Sequence, residues 1–276
     1  MRRIFRIVLW LFIFAAVFQI YVLNSNLIDI YSYRDKFIQN VDYIPKEMTN
    51  PHLATDFNLL YADYIWFKSL QYYGDRKEKK ADVLYLNNIF NSITNLDPYF
   101  EQSYSFGATL IGTDGNNWEE CQKLLKKGMI NIPDSWRMPF FLGFFSYIWY
   151  KNYNAAEYWF RVAIKKPDCP EKISHFIPFM HLKMGDYYTG MLLWIEIYNN
   201  AQNDREREGS LNNIKNYAKI YLTKAHRKYR EDYGYVPENL RTLINEQYVK
   251  GIPTLPDKSI FYYNRKKDSV LVYKKE

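Results

Sequence analysis

Hydrophobic positions follow three patterns along the chain. Residues 7–23, IVLWLFIFAAVFQIYVL, are apolar on every face, carry no charge and hold one polar residue, Gln19. From about residue 56 to 200, apolar positions recur at spacings of three and four, which predicts helices with one buried side. Near the end, Ser259–Tyr263 and Ser269–Tyr273 alternate and are rich in Tyr, Phe and Val. Arg265–Asp268 join them, and the pattern predicts a β-hairpin. The polar stretch 199–210 reads as a linker. A helix is expected to follow over 211–231, with Leu211, Ile214, Tyr217, Ala218 and Tyr221 on one side.

The middle pattern repeats. Leu86, Cys121, Ala156 and Gly190 are 35, 35 and 34 residues apart. Four positions on stand Phe90, Leu125, Phe160 and Trp194. Three further on stand Ile93, Gly128, Ala163 and Ile197. Aromatic residues precede the block at Trp118, Tyr153 and Tyr187, and prolines follow it at Pro98, Pro133 and Pro167. A small residue with a bulky one four positions later lets a neighbouring helix approach and fills the gap beside it. Breakers lie ahead of each such helix at Gly74-Asp75, at 112–117, at Lys151-Asn152 and at Gly185-Asp186. Ahead of each breaker lies another amphipathic segment: 56–73, 99–111, 134–150 and 170–184. Each unit thus reads helix, turn, helix, stop, and four units suffice for a stable stack.

Gly185-Asp186-Tyr187…Gly190…Trp194…Ile197, Asn152-Tyr153…Ala156…Phe160…Ala163…Pro167 and Leu96-Asp97-Pro98 resemble the tetratricopeptide repeat family over about half the chain. Pro139, Pro170 and Pro178 depart from it, lying in or near first helices. The resemblance implies a helical-hairpin solenoid whose first helices line a concave, peptide-binding face. That face would include Gln102, Ser105, Arg137, Phe140, Phe144, His175 and Phe179. The order Gly234–Leu243 ("G-x-x-P-x-x-L-x-x-L"), Gly251–Pro253, then hairpin is loosely similar to the heads of type II secretion pseudopilins, although the repeats stand between membrane segment and long helix.

Ile7–Leu23 is long enough to span a bilayer. A cleaved secretory signal would end in small residues, whereas this run ends Tyr21-Val22-Leu23-Asn24; an uncleaved anchor is favoured. A buried helix of a soluble protein would show a single apolar stripe. Arg2, Arg3 and Arg6 precede the run, so the N-terminus is expected in the cytoplasm and the bulk outside it, in the periplasm of a bacterium. The expected organisation is 1–25 anchor, 26–55 juxtamembrane linker, 56–200 repeats and 201–276 a small α+β module ending in the hairpin. The fold class is mostly α.

Charge adds a detail. Of the net +7, residues 201–276 supply +6, with 16 basic and 10 acidic side chains. Outside the cytoplasm such a surface has no nucleic acid to meet, and solvated helix faces account for it as well. Two Cys exclude a four-Cys metal site. Cys121 occupies a core position and Cys169 sits between Asp168 and Pro170; a disulfide between them is open. His175 and His181 are six apart and face different ways on a helix, and Cys169 with His175 lacks an oxyanion hole. No metal or cofactor site is expected. The chain therefore reads as a non-enzymatic envelope scaffold or adaptor for a protein or peptide partner, in a secretion, pilus or polysaccharide assembly. The alternatives are a carbohydrate-active envelope enzyme using an aromatic groove, with Glu119-Glu120 and Asp63 among its acids, and a pseudopilin-like subunit.

Overall fold

The computed structural model describes residues 18–19, 57–74 and 83–274. Apart from Phe18 and Gln19, the expected anchor lies outside the described residues, as does the 26–55 linker. Among the described residues no helix is long and apolar enough to cross a membrane. The chain is mostly helical, with one antiparallel two-stranded sheet. It divides into two compact units, Met1–Leu124 and Leu125–Glu276.

In the first unit, α1 (Asn58–Gly74) packs on α2 (Val83–Leu96), and α2 on α3 (Glu101–Thr113). Ile65, Leu86, Phe90, Ile93, Tyr104 and Ile111 are buried. The Trp66 ring meets Phe90, Phe100 and Phe106 at centroid distances of 6.5, 5.1 and 5.3 Å. α4 (Trp118–Asn131) contains the division between the units.

In the second unit, α5 (Arg137–Ile148) pairs with α6 (Tyr153–Ala163), and α7 (Phe176–Met184) with α8 (Tyr187–Asn200). A 3-10 turn, Glu171–His175, opens the α7 segment. Then come α9 (Asp204–Tyr233), the short α10 (Thr242–Asn245), β1 (Ile260–Asn264) and β2 (Ser269–Tyr273). The two strands pair Ile260 with Tyr273 through Asn264 with Ser269.

The small and bulky positions of the repeat are all buried except Ile197, which is half-buried, as are the aromatics Trp118, Tyr153 and Tyr187 ahead of them. Second helices start at equivalent caps. Asn117, Asn152 and Asp186, separated by 35 and 34 residues, each accept a backbone N–H three residues ahead, from Glu120, Ala155 and Thr189. A side-chain acceptor there satisfies one of the amides a helix start leaves open. The stops are tied together too: the Lys166 ammonium donates to the Pro133 carbonyl at 2.6 Å, joining equivalent ends of consecutive units.

Small residues on the first helices form a second series, which the sequence reading missed. A Cβ on Gly143 of α5 would lie 3.1 Å from the Ala156 carbonyl and 3.0 Å from the Phe160 ring on α6. A Cβ on Gly107 would lie 2.9 Å from Leu124, which is 17 residues later, as Phe160 is from Gly143. In the next pair Pro178 takes the place of glycine. Its carbonyl would be 3.2 Å from a Cβ on Gly190. Ala156 and Gly190 therefore sit at matching contacts, each against the first helix of its own pair. The prolines are accommodated because Pro139 and Pro178 occupy the third positions of α5 and α7, where amides lack intrahelical partners anyway. Pro170 stands just before the 3-10 turn.

α9 begins at Asp204, inside the stretch read as linker. Asn203 caps it by accepting the Glu206 amide at 2.9 Å, and Asp204 and Glu206 place negative charge in the first turn. At the far end Gly234 adopts φ +77°, a left-handed turn that ends the helix cheaply only for glycine. Along its N-terminal half, Ile214, Tyr217 and Ala218 pack with Met191 and Trp194 of α8. Tyr217 lies over Gly190 and donates to the Pro178 carbonyl at 3.0 Å. Further along, Leu222, Ala225 and Tyr229 pack with Leu243, Val249 and Val270. Burying such side chains contributes roughly 1.5–3 kcal/mol each, which is how a hairpin too small to stand alone is held. The Val270 amide donates to the Thr223 hydroxyl at 2.9 Å, fixing β2 on α9.

Candidate partner-binding surfaces

The seven groove residues lie on the segments expected of them. In the first unit Gln102 is exposed on α3. Ser105, one turn on, is half-exposed, and its hydroxyl donates to the Gln102 carbonyl at 3.2 Å. In the second unit Arg137 is exposed, with its guanidinium 4.8 Å above the Trp136 ring. Phe140 and Phe144 are half-buried and stack on each other at 5.8 Å. Phe140 also meets Phe160 and Phe176 at 5.9 and 5.8 Å. Phe179 meets Tyr147 at 5.5 Å and carries the Lys183 ammonium 5.1 Å over its ring. These rings therefore serve two purposes. One side of each packs against the cluster of Ala156, Phe160, Ala163 and Ile177, and the rest is half-exposed, with Lys183 over the ring of Phe179.

The histidines are held by carboxylates. His175 Nε2 lies 3.2 Å from Glu206 Oε1 at the start of α9, and its ring faces Trp194 at 5.1 Å. His181 is buried; its Nδ1 and Nε2 lie 3.2 and 3.1 Å from Asp186 and Glu157. These contacts tie α7 to α6, α8 and α9. Cys121 and Cys169 are free thiols. Burial pushes the Cys121 thiol up to about 12 and also raises that of Cys169, so neither is poised as a thiolate nucleophile.

Two surfaces escaped the sequence reading. On α1, Phe57, Leu60, Tyr64 and Phe67, spaced three and four apart, are all exposed. The spacing was visible in the sequence, but nothing in it distinguishes an open stripe from a buried one. The second surface is a cleft of about 1050 Å³ in the C-terminal module. The loop 236–241, the segment 252–259 and the length of β1 enclose it. Leu240, Ile252 and Phe261 supply apolar lining; Arg241, Lys258 and Arg265 stand at its edge with Glu238 as the lone acid. Those three cations are exposed and make no ion pair among the described residues.

Two acids of the module hold cations elsewhere. Asp268 accepts from Arg227, Arg230 and the Tyr263 hydroxyl, and this holds its carboxyl below the usual range. Lys215 holds Asp257. His226, buried in the cleft wall, stacks on Tyr263 at 3.5 Å, and its Nδ1 has no hydrogen-bond partner. Burial, with Arg230 adding to it, lowers the His226 pKa, so the ring is neutral at pH 7.

No family model and no curated protein matches the chain. Among solved structures, a tetratricopeptide repeat protein from Parabacteroides merdae ATCC 43184 is similar at 11% identity, over 70% of this chain and 85% of that one, with a TM-score of 0.33. A likeness at that score carries no weight by itself. The repeat organisation stands on the register, caps and close contacts described above.

Proposed function

We propose that this chain is an envelope adaptor: Ile7–Leu23 anchors it in the bacterial inner membrane with the N-terminus in the cytoplasm, and the helix pairs receive a protein partner outside. Its role is recruitment within a secretion, pilus or polysaccharide assembly and not catalysis. The observation that carries this reading is the equivalence of the Ala156–Gly143 and Gly190–Pro178 contacts. Equivalent contacts give successive helix pairs the same internal geometry, α6 packs on α7 between the pairs, and such stacks leave the outer sides of their first helices as an extended binding surface. Phe144 and Phe179, half-exposed with Lys183 over the Phe179 ring, suit a segment with both apolar and acidic residues. The exposed stripe on α1 adds apolar area of the kind that marks protein contacts.

The test has two arms. An alkaline phosphatase reporter fused after residue 60 is expected to be active, as that enzyme requires an oxidising compartment; a reporter that stays inactive in the cytosol overturns the topology. A photo-crosslinking residue in place of Phe144 or Phe179 is expected to trap one defined envelope protein in cells. Crosslinks absent there but present at the second-helix control Trp159 would overturn the groove.

A further inference from the structure

We infer that the cleft beside β1 takes an extended acidic segment of a partner protein, which joins the hairpin as a third strand. The site is separate from the first-helix surface, and its failure would leave that reading standing.

The argument starts from the backbone. Among the described residues β1 has a strand neighbour on one side only, β2, and its residues Ile260–Tyr263 line the cleft. An edge strand offers alternating N–H and C=O groups, and a second peptide backbone matches both kinds at once. A phosphate backbone or a lipid surface can accept from the N–H groups but has nothing to donate to the carbonyls. The five residues of β1 give such a segment about 17 Å to pair along.

Side chains then specify the segment. In an added strand alternate residues point to opposite faces. One set would lie over Leu240, Ile252 and Phe261, which calls for apolar residues. The other set would lie at the level of Ile260 and Tyr262, exposed on the outer face of the hairpin. Around it stand Arg241, Lys258 and Arg265 against one Glu238, which calls for acids. Unlike Arg227 and Arg230, both held by Asp268, these three cations have no acid partner among the described residues, so the cleft carries a net positive lining.

The experiment uses the full chain in detergent micelles and fluorescence anisotropy of labelled hexapeptides. Ac-(Val-Glu)3-amide is expected to bind at least about tenfold more tightly than Ac-(Val-Lys)3-amide, and less tightly as salt rises. N-methylation of one alternate set of its amides is expected to weaken binding about tenfold or more, while the other set has little effect, because only one set faces the partner strand. The double variant Arg241→Glu/Arg265→Glu, at exposed positions and checked for native circular dichroism, is expected to reverse the charge preference. Equal binding of both peptides, no binding, or equal effects of the two methylated sets would each overturn the proposal. A concentration-dependent dimer that binds neither peptide would assign the edge to a second copy and overturn it as well.

Discussion

Glycine shows how much a single position depends on its neighbour. In α8, Gly190 lies under Tyr217, and a Cβ there would come within 2.6 Å of that ring. In α9, Gly209 has nothing within 4 Å of where its Cβ would be. The same substitution is therefore expected to have opposite signs. Gly209→Ala gains helix propensity and should stabilise by about 0.5–1 kcal/mol. Gly190→Ala gains the same propensity but must displace Tyr217 from its hydrogen bond to Pro178, and overpacking of this kind costs about 1–3 kcal/mol. A net loss of roughly 1–2 kcal/mol is expected. Urea denaturation followed by tryptophan fluorescence measures both, and destabilisation by Gly209→Ala or stabilisation by Gly190→Ala would contradict the packing described.

At the scale of elements, the loop leading into β1 is fixed to α9 by charge. Burial alone would raise the Asp257 carboxyl, but Lys215 and the Ser259 amide bring it down to about 2. The folded value lies below the ordinary carboxylate value, so the contribution is complete above about pH 4 and is lost as pH falls through about 2. Wild-type stability should fall across that interval by about 1–2 kcal/mol more than that of Asp257→Asn, with thermal melts at pH 4, 3 and 2 as the measure. Equal slopes would remove the tie.

Which elements the sequence revealed has a physical explanation. The second helices were legible because small and bulky residues must recur where helices touch, and their spacing of 34 to 35 residues leaves a plain trace. The matching series on the first helices was not, since its third member is Pro178, which acts through its carbonyl and looks like a breaker. The start of α9 was hidden because Asp204–Glu208 are all charged; cap chemistry at Asn203 and the pairing of Arg207 with Asp204 sustain helix there without an apolar stripe. The groove residues were named by helix position alone, so their partial burial and covering cations were not foreseen. The cleft had no linear trace, because residues from 226 to 265 come together only through the fold.

At the scale of the molecule, part of the basic surplus of residues 201–276 is tied internally at Asp268 and Asp257, and part stands open, three of its members at the cleft. The hairpin is also part of the support of α9. Removing residues 259–276 would take the buried Val270 from Leu222, Ala225 and Tyr229, whereas Ile214, Tyr217 and Ala218 would lose only the partly buried Phe261 and Val272 and keep Met191 and Trp194 of α8. Hydrogen exchange should then speed by about tenfold or more over 222–233 and change little over 212–219. Uniform acceleration along the helix would show that its two halves do not hold independently.

α9 runs without a break through 30 residues, about 45 Å, from the last helix pair to the hairpin. A mechanical linkage of that kind has no joint in it. Load applied to whatever occupies one end is delivered to the other as tension or torque, with no soft segment to absorb it. A partner pulling on this chain at the hairpin would pull on the last helix pair directly.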